Sequence, residues 1–86
     1  MGDIIAMKSI LYTASAARQL GSLSPTARER ITKKLSRYAA SGAGDVTKLA
    51  GEDSARIRVG DYRAIFEETE EDVTVVAVGH RRDVCR

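Results

Sequence analysis

The sequence predicts a small α+β domain in which an antiparallel-rich sheet packs on an αα-hairpin, in the order β-α-α-β-β-β. Three observations favour this class. Apolar residues recur at helical spacing after Ser24-Pro25, charged and apolar residues alternate on both sides of Gly60-Asp61, and the apolar run VTVVAV follows near the end. With 86 residues there is room for one domain, residues 1–86, in which 1–6 form a loose N-terminal extension.

The composition is that of an ordinary globular protein, with 43% hydrophobic and 30% charged residues. No apolar stretch approaches the ~20 residues needed to cross a bilayer, and MGDIIAMK lacks the basic start and long apolar core of a signal peptide. A single cysteine excludes an internal disulfide, and one histidine with one cysteine argues against a zinc site. We therefore expect a cytoplasmic protein with no metal, no cofactor and no membrane partner.

The segment before Ser24 predicts a short strand and a short helix. Residues 8–13 (KSILYT) alternate imperfectly between apolar and polar side chains, which is typical of a strand. A helix follows at about residues 15–20, and Gly21 is a plausible end because glycine commonly terminates helices.

The second helix begins at Ser24-Pro25. The serine supplies a capping oxygen, and the proline stands where no N–H is needed. One face of this helix is apolar, with Ala27, Ile31, Leu35 and Tyr38. Much of the remainder is basic, with Arg28, Arg30, Lys33, Lys34 and Arg37. Gly42 and Gly44 end the helix and open a loop to about Ser54.

The stretch ARIRVGDYRAIFEE predicts a hairpin with Gly60-Asp61 as a two-residue turn. Such a turn fixes the register, so Arg58 faces Arg63 and Arg56 faces Ile65. One face of the hairpin is then apolar, with Ala55, Ile57, Val59, Tyr62, Ala64 and Phe66. The stretch DVTVVAVGHRRDV predicts a further strand that is either central in the sheet or covered on both faces, because it is nearly continuous in apolar residues.

Arg56, Arg58 and Arg63 share the other face of the predicted hairpin. Side chains directly opposite each other lie about 5 Å apart, and like charges there cost on the order of 1 kcal/mol in water. Guanidinium groups that converge on one open face can grip a phosphate in bidentate fashion. If the final strand pairs beside the hairpin, Arg81 or Arg82 extends this patch. On pattern alone, alternating arginines more often mark a solvated strand face, and the basic side of the second helix is most often a hydrated surface.

The run KLAGEDSARIRVGDYRAIFEE, followed by VTVVAVGHRRDV, resembles the RelE branch of the RelE/ParE superfamily of bacterial type II toxins. The similarity extends over nearly the whole chain from about Met7, and the motifs KLxG, RxRVGDYRxIF and VGHRR carry it in combination. The resemblance implies a small RelE-like fold and the activity of a ribosome-dependent mRNA endoribonuclease. In the reaction, a ribose 2′-OH of the mRNA attacks the adjacent phosphate and leaves a 2′,3′-cyclic phosphate. It further implies a ribosome-bound mRNA substrate and a cognate antitoxin that neutralises the toxin in a hetero-oligomeric complex.

Carried over by position, the resemblance assigns the phosphate-binding and catalytic residues. Arg63 and Arg81 would hold the scissile phosphate, and Arg56 and Arg58 stand where many relatives carry lysine. Because an arginine does not readily give up its proton, it is a poorer base than lysine. The further residues expected to bind RNA are Lys48, Arg82 and Arg86.

The end of the chain departs from the pattern of close relatives, which read HRRDVYR. Cys85 stands at the tyrosine position, and a thiol neither stacks like a phenol nor has its proton chemistry. His80 is a candidate acid or base in its place, since histidine is the side chain suited to proton transfer near neutral pH.

Two other functions stay open at this point. One is a ParE-like poison of DNA gyrase on the same fold, although the VGHRRDV ending favours the RelE branch. The other is a non-catalytic member that only binds an antitoxin or RNA, which the cysteine at position 85 makes credible.

Overall fold

The computed structural model describes residues 8–42, 44–48 and 54–80 of the chain. Its elements, in chain order, are β1 (Ser9–Tyr12), α1 (Ala14–Gly21), α2 (Pro25–Ser41), β2 (Asp45–Lys48), β3 (Ser54–Val59), β4 (Tyr62–Glu68) and β5 (Asp72–His80). The two helices pack on one face of a sheet, so the predicted α+β class is confirmed.

The sheet has five strands in the order β1-β5-β4-β3-β2. β1 runs parallel to β5, and the other neighbours are antiparallel. β5 lies between β1 and β4, which is the interior position that its apolar sequence predicts. β2 corrects the prediction of a loop from Gly44 to Ser54. Its sequence DVTK contains a single apolar residue, Val46, so no alternation marks it, and its pairing with β3 forms the strand.

Side-chain and glycine caps set the ends of the helices. The Ser24 hydroxyl accepts a hydrogen bond from the backbone N–H of Ala27 at 3.2 Å, as the predicted helix start requires. At the other end of α2, Gly42 adopts a left-handed conformation with φ 77°. Thr13 caps α1, which includes Gly21 and therefore ends one residue later than predicted.

The core lies between the helices and the sheet face that they cover. Its buried residues are Ala16, Leu20, Ile31, Leu35, Ala39, Ala55, Ile57, Val59, Ala64, Phe66, Val73, Val75 and Val78. Tyr62 and Tyr38 are half-buried at its edge, and the Tyr38 ring packs on Phe66 with centroids 5.2 Å apart. The apolar face predicted for the hairpin is therefore the covered one, and the opposite face carries the arginines.

Candidate functional site

The register of the β3–β4 hairpin brings three arginines onto the face of the sheet that is turned away from the helices. Arg58 pairs with Arg63 and Arg56 pairs with Ile65, as the two-residue turn predicts. Because paired residues share a face and neighbours along a strand alternate, Arg56, Arg58 and Arg63 lie together. We call these three residues the arginine face. The Arg58 side chain is exposed, and the other two are half-buried.

Arg63 is held in place by the hairpin turn. Its Nη1 donates to the carbonyl oxygen of Gly60 at 3.2 Å and to that of Tyr62 at 3.0 Å. These two bonds use one end of the guanidinium, and its Nε–Nη2 edge has the fork geometry that matches two oxygens of a phosphate. A guanidinium positioned in this way loses less conformational freedom when an anion binds.

The neighbouring strands shape the surroundings of the Arg58–Arg63 pair. On one side, Asp45 of β2 pairs with Arg58, which places a carboxylate on the same face. On the other side, Gly79 of β5 pairs with Arg63 and adds no side chain there. The arginine face therefore has an acidic residue at the position paired with Arg58 and no side chain at the position of β5 paired with Arg63. Sequence reasoning missed Asp45 because it assigned this segment to a loop.

His80 lies on the helix-covered face, not on the arginine face. It pairs with Tyr62, and the two rings meet edge to face with centroids 5.7 Å apart. The cause is a bulge in the pairing of β4 with β5, where Ile65 pairs with Ala77 and Phe66 pairs with Val75. The extra residue reverses the alternation of β5, which otherwise would place His80 beside the arginines. The structure therefore separates the candidate acid–base group from the arginine face.

Lys48 is also separated from the arginine face. It pairs with Ala55, a buried residue of the covered face, whereas Arg56 pairs with the preceding residue, Thr47, on the opposite face. Its charge acts instead on Glu68, whose carboxylate it helps to stabilise. The predicted contact of Lys48 with RNA remains a prediction that this position does not favour.

The other predicted site residues, Arg81, Arg82, Cys85 and Arg86, lie outside the described residues. They follow β5, which pairs with β4 as far as His80. Their roles remain those that the family resemblance implies.

A polar network joins the residue before β1 to α2 and β4, at the end of the sheet opposite the hairpin turn. Glu68 accepts hydrogen bonds from Lys8 Nζ and from the Tyr38 hydroxyl, both at 2.6 Å. We call Lys8, Tyr38 and Glu68 the Glu68 network. Burial acts to raise the pKa of Glu68, but the bonds from Lys8 and Tyr38 and the nearby positive charges outweigh it, so the pKa is lowered. Burial, together with the Glu68 carboxylate, raises the pKa of Tyr38 to about 12.

A second basic surface lies between α2 and the hairpin turn. It is a groove of about 510 Å³ lined by Arg30, Lys33, Lys34, Arg37, Val59 and Gly60. We call it the basic groove. The four cations are spaced i, i+3, i+4 and i+7 and therefore share one side of the helix, where each like-charged pair costs about 0.2–0.5 kcal/mol. Sequence reasoning interpreted them as a hydrated surface, because nothing in the pattern shows that the turn lies beside them.

Two further findings concern the whole of the described chain. Within residues 8–42, 44–48 and 54–80, no group of three or more His, Cys, Asp or Glu side chains is placed to hold a metal ion. Neither of the helices described there is long and apolar enough to cross a membrane.

Comparison with known families and structures agrees with this fold. Residues 10–84 match the family described as the ParE toxin of the type II toxin–antitoxin system parDE. The chain belongs to this family, within the RelE/ParE superfamily, and is a toxin of a toxin–antitoxin system. No curated protein sequence matches the chain.

Solved structures of RelE proteins are similar to this chain. A chain of the intact E. coli RelBE toxin–antitoxin complex is 26% identical, with a TM-score of 0.72, over 85% of this chain and 95% of that one. A free-state mutant of E. coli RelE is 24% identical, with a TM-score of 0.77, over 91% and 87% of the two chains. A chain of the RelB–RelE complex from Methanococcus jannaschii is 24% identical, with a TM-score of 0.72, over 86% and 93%. The predicted RelE-like fold is thereby confirmed.

Proposed function

We propose that this toxin is a ribosome-dependent mRNA endoribonuclease that inhibits translation and is neutralised by a cognate antitoxin. The observation that carries the proposal is the arginine face, with Arg58 directly opposite Arg63 and Arg63 tied to the turn. Two like charges in paired positions do not stabilise the fold, but they stabilise a bound anion that lies between them. The scissile phosphate of RNA is an anion of the right chemistry.

The reaction requires three things: a base for the ribose 2′-OH, positive charge for the developing phosphorane, and an acid for the leaving 5′ oxygen. The arginine face supplies the second. Preorganised donors aimed at developing charge commonly make the largest single contribution to catalysis. Arg58 and Arg63 would bind the phosphate oxygens of the transition state, and Arg56 would bind a neighbouring phosphate. Arg81 adds a further cation if it lies where the family resemblance implies.

The acid and the base must come from residues outside the arginine face. Arginine remains protonated and is unsuited to either role. His80 could act only at the rim of the sheet, since its ring lies against Tyr62 on the covered face. Cys85 stands at the position of the family tyrosine. If that position takes part in the reaction, Cys85→Tyr should increase ribosome-dependent cleavage. An unchanged or lower rate in a folded Cys85→Tyr protein would show that this position is not what limits the activity.

The sheet face that carries the arginines also offers a place for the antitoxin. Ile65 pairs with Arg56, and Leu11 of β1 is 49% exposed on the same side of the sheet. A segment with apolar and acidic residues would cover both kinds of surface and neutralise the arginines. The E. coli RelBE and M. jannaschii RelB–RelE structures are toxin–antitoxin complexes, which supports an antitoxin as the protein partner here.

A second candidate function is inhibition of DNA gyrase, and the match to the ParE family favours it. The fold is common to both alternatives. They differ in their consequences: an mRNA endoribonuclease leaves cuts positioned by codons on translated messages, whereas a gyrase poison leaves DNA damage and intact messages.

Ribosome profiling combined with a DNA-damage reporter after induction of the toxin tests the proposal. We expect growth arrest and codon-positioned mRNA cuts without a DNA-damage signal. Co-expression of the cognate antitoxin should restore growth and abolish the cuts. Damage signalling without cuts would replace the proposal with gyrase inhibition. Normal growth at a high level of folded protein would contradict both and leave a non-catalytic binding protein.

A further inference from the structure

We propose that the basic groove between α2 and the hairpin turn is a second RNA site, which holds the phosphodiester backbone at a distance from the scissile phosphate. This inference rests on the proposed function, because it extends the RNA surface beyond the arginine face. Its ligand is a sugar–phosphate backbone bound without regard to sequence. The source of that backbone is either the message beside the cut codon or the RNA of the ribosome itself.

The first argument is the arrangement of charge. Arg30, Lys33, Lys34 and Arg37 are all exposed and span eight residues of α2, or roughly 10 Å along the helix axis. The described residues that line the groove include no carboxylate. Cations at this spacing repel one another along the helix, so the row is unfavourable until an anion binds. A polyanion can neutralise several of them at once, and the release of its counterions drives such binding.

The second argument is that the turn forms a wall of the groove. Gly60 has φ +61°, and a Cβ at this position would lie 3.4 Å from Nη2 of Arg30. The Arg30 guanidinium therefore packs against the turn, where the left-handed φ of Gly60 favours glycine. The carbonyl of the same glycine accepts the hydrogen bond from Arg63. One residue thus contacts a cation of the groove and also a cation of the arginine face.

This shared turn makes the two basic surfaces continuous. An RNA strand whose phosphate is held by Arg58 and Arg63 can pass around the end of the hairpin and meet Arg30 and the rest of the row on α2. The groove would then fix the direction in which the strand leaves the site.

The chemistry of the groove favours nucleic acid over a protein partner. Val59, the apolar residue in its lining, is 2% exposed and offers no pocket for an apolar anchor. Protein interfaces take most of their binding energy from buried aromatic and apolar anchors, whereas backbone contacts to nucleic acid come from Lys and Arg. A surface made of four exposed cations over a closed floor is suited to phosphates.

The test is a charge-matched pair of variants of the full chain. Lys33→Gln with Lys34→Gln removes two positive charges from the groove. Arg18→Gln with Arg28→Gln removes two positive charges from helix positions that do not line it. Both pairs give the same net charge, and circular dichroism establishes that both proteins are folded.

Binding is measured with a short fluorescein-labelled RNA of mixed sequence and, separately, with purified ribosomes that carry no message, between about 50 and 200 mM salt. We expect the groove pair to reduce the magnitude of the negative slope of log K, the binding constant, against log salt by about 1.4. This is roughly 0.7 for each lost contact with a single strand. The control pair should leave the slope near that of the wild type. An effect on the short RNA identifies the message as the source, and an effect on ribosomes identifies ribosomal RNA; either result supports the site.

Equal slopes for the two pairs with both probes would overturn the inference. It would also be overturned if the groove pair weakened only the complex with the antitoxin, because the groove would then be a protein surface. These outcomes differ from failure of the proposed function. If the wild type cuts no mRNA but the groove pair still binds RNA more weakly than its control, the enzyme assignment fails and the RNA site remains.

Discussion

Tyr38→Phe should destabilise the toxin by removing one hydroxyl from the Glu68 network. In the structure this hydroxyl donates to the Glu68 carboxylate at 2.6 Å, and Lys8 donates to the other oxygen. A hydrogen bond to a charged group contributes about 1.5–3 kcal/mol when it is well shielded. The Glu68 and Lys8 side chains are 17% and 28% exposed, so solvent lowers this to about 1 kcal/mol. For a domain of this size, that corresponds to a fall in Tm of roughly 4–8 °C.

The effect should depend on pH at the acid end. The pKa of Glu68 is lowered from its ordinary 4.5, because burial acts to raise it but the interactions with Lys8 and Tyr38 outweigh burial. A group whose folded pKa is lowered contributes stability above its unfolded pKa, and this is lost as the pH falls through the folded value. Tyr38→Phe removes one cause of the lowering. The difference in stability between wild type and variant should therefore have its full size near neutral pH and should shrink as the pH falls below 4.5 toward the lowered pKa of Glu68.

The stability difference between wild type and Tyr38→Phe should also shrink at alkaline pH. Burial and the Glu68 carboxylate raise the pKa of Tyr38 from 10.0 to about 12. The neutral hydroxyl is favoured in the folded state, so the wild type loses stability as the pH rises from 10 to 12, whereas phenylalanine does not titrate. Two pKa units correspond to at most ~2.7 kcal/mol, and partial solvent access reduces this.

Urea unfolding followed by circular dichroism at several pH values measures these differences. Tyr12→Phe is the matched control, because burial is what raises the pKa of Tyr12. Any loss of stability in the control should stay the same when the solution is acidified. A Tyr38→Phe protein as stable as the wild type at neutral pH, or a difference that stays constant down to acid pH, would refute the reasoning.

Two further predictions concern the backbone of the sheet. Gly60→Ala should cost roughly 1–2 kcal/mol, since a residue with a Cβ is strained at the left-handed φ of +61°. Urea unfolding measures this cost, and Gly21→Ala, with no positive φ and nothing within 4 Å of its Cβ, should cost nothing. Gln19→Met should cost about 1 kcal/mol and speed hydrogen exchange at the Val78 amide, because Gln19 Oε1 accepts from that N–H at 2.8 Å. An unchanged exchange rate at Val78 would show that this bond contributes nothing to local stability.

The hairpin and the second helix could be predicted because local chemistry determines them. Gly60-Asp61 fixes the turn, and the turn fixes every pair from Val59–Tyr62 outward, so the arginine face follows from counting. Ser24 and Gly42 likewise mark the ends of α2 through their own backbone preferences.

The features that escaped prediction depend on contacts between distant segments. β2 becomes a strand through pairing with β3, which its four residues do not signal. Glu68 meets Tyr38 across 30 positions of sequence. The bulge opposite Ile65 and Phe66 reverses the alternation along β5 and moves His80 to the other face. Periodicity within one segment contains none of this information.

Mapping mRNA 5′ ends after induction of wild type, Arg63→Gln and Arg18→Gln tests the central claim most directly, since both substitutions remove one arginine and only Arg63 belongs to the arginine face. The claim predicts codon-positioned cuts in wild type and in Arg18→Gln, and a loss of about 10²- to 10³-fold in cleavage rate for a folded Arg63→Gln protein. Equal cutting by the two variants would contradict it.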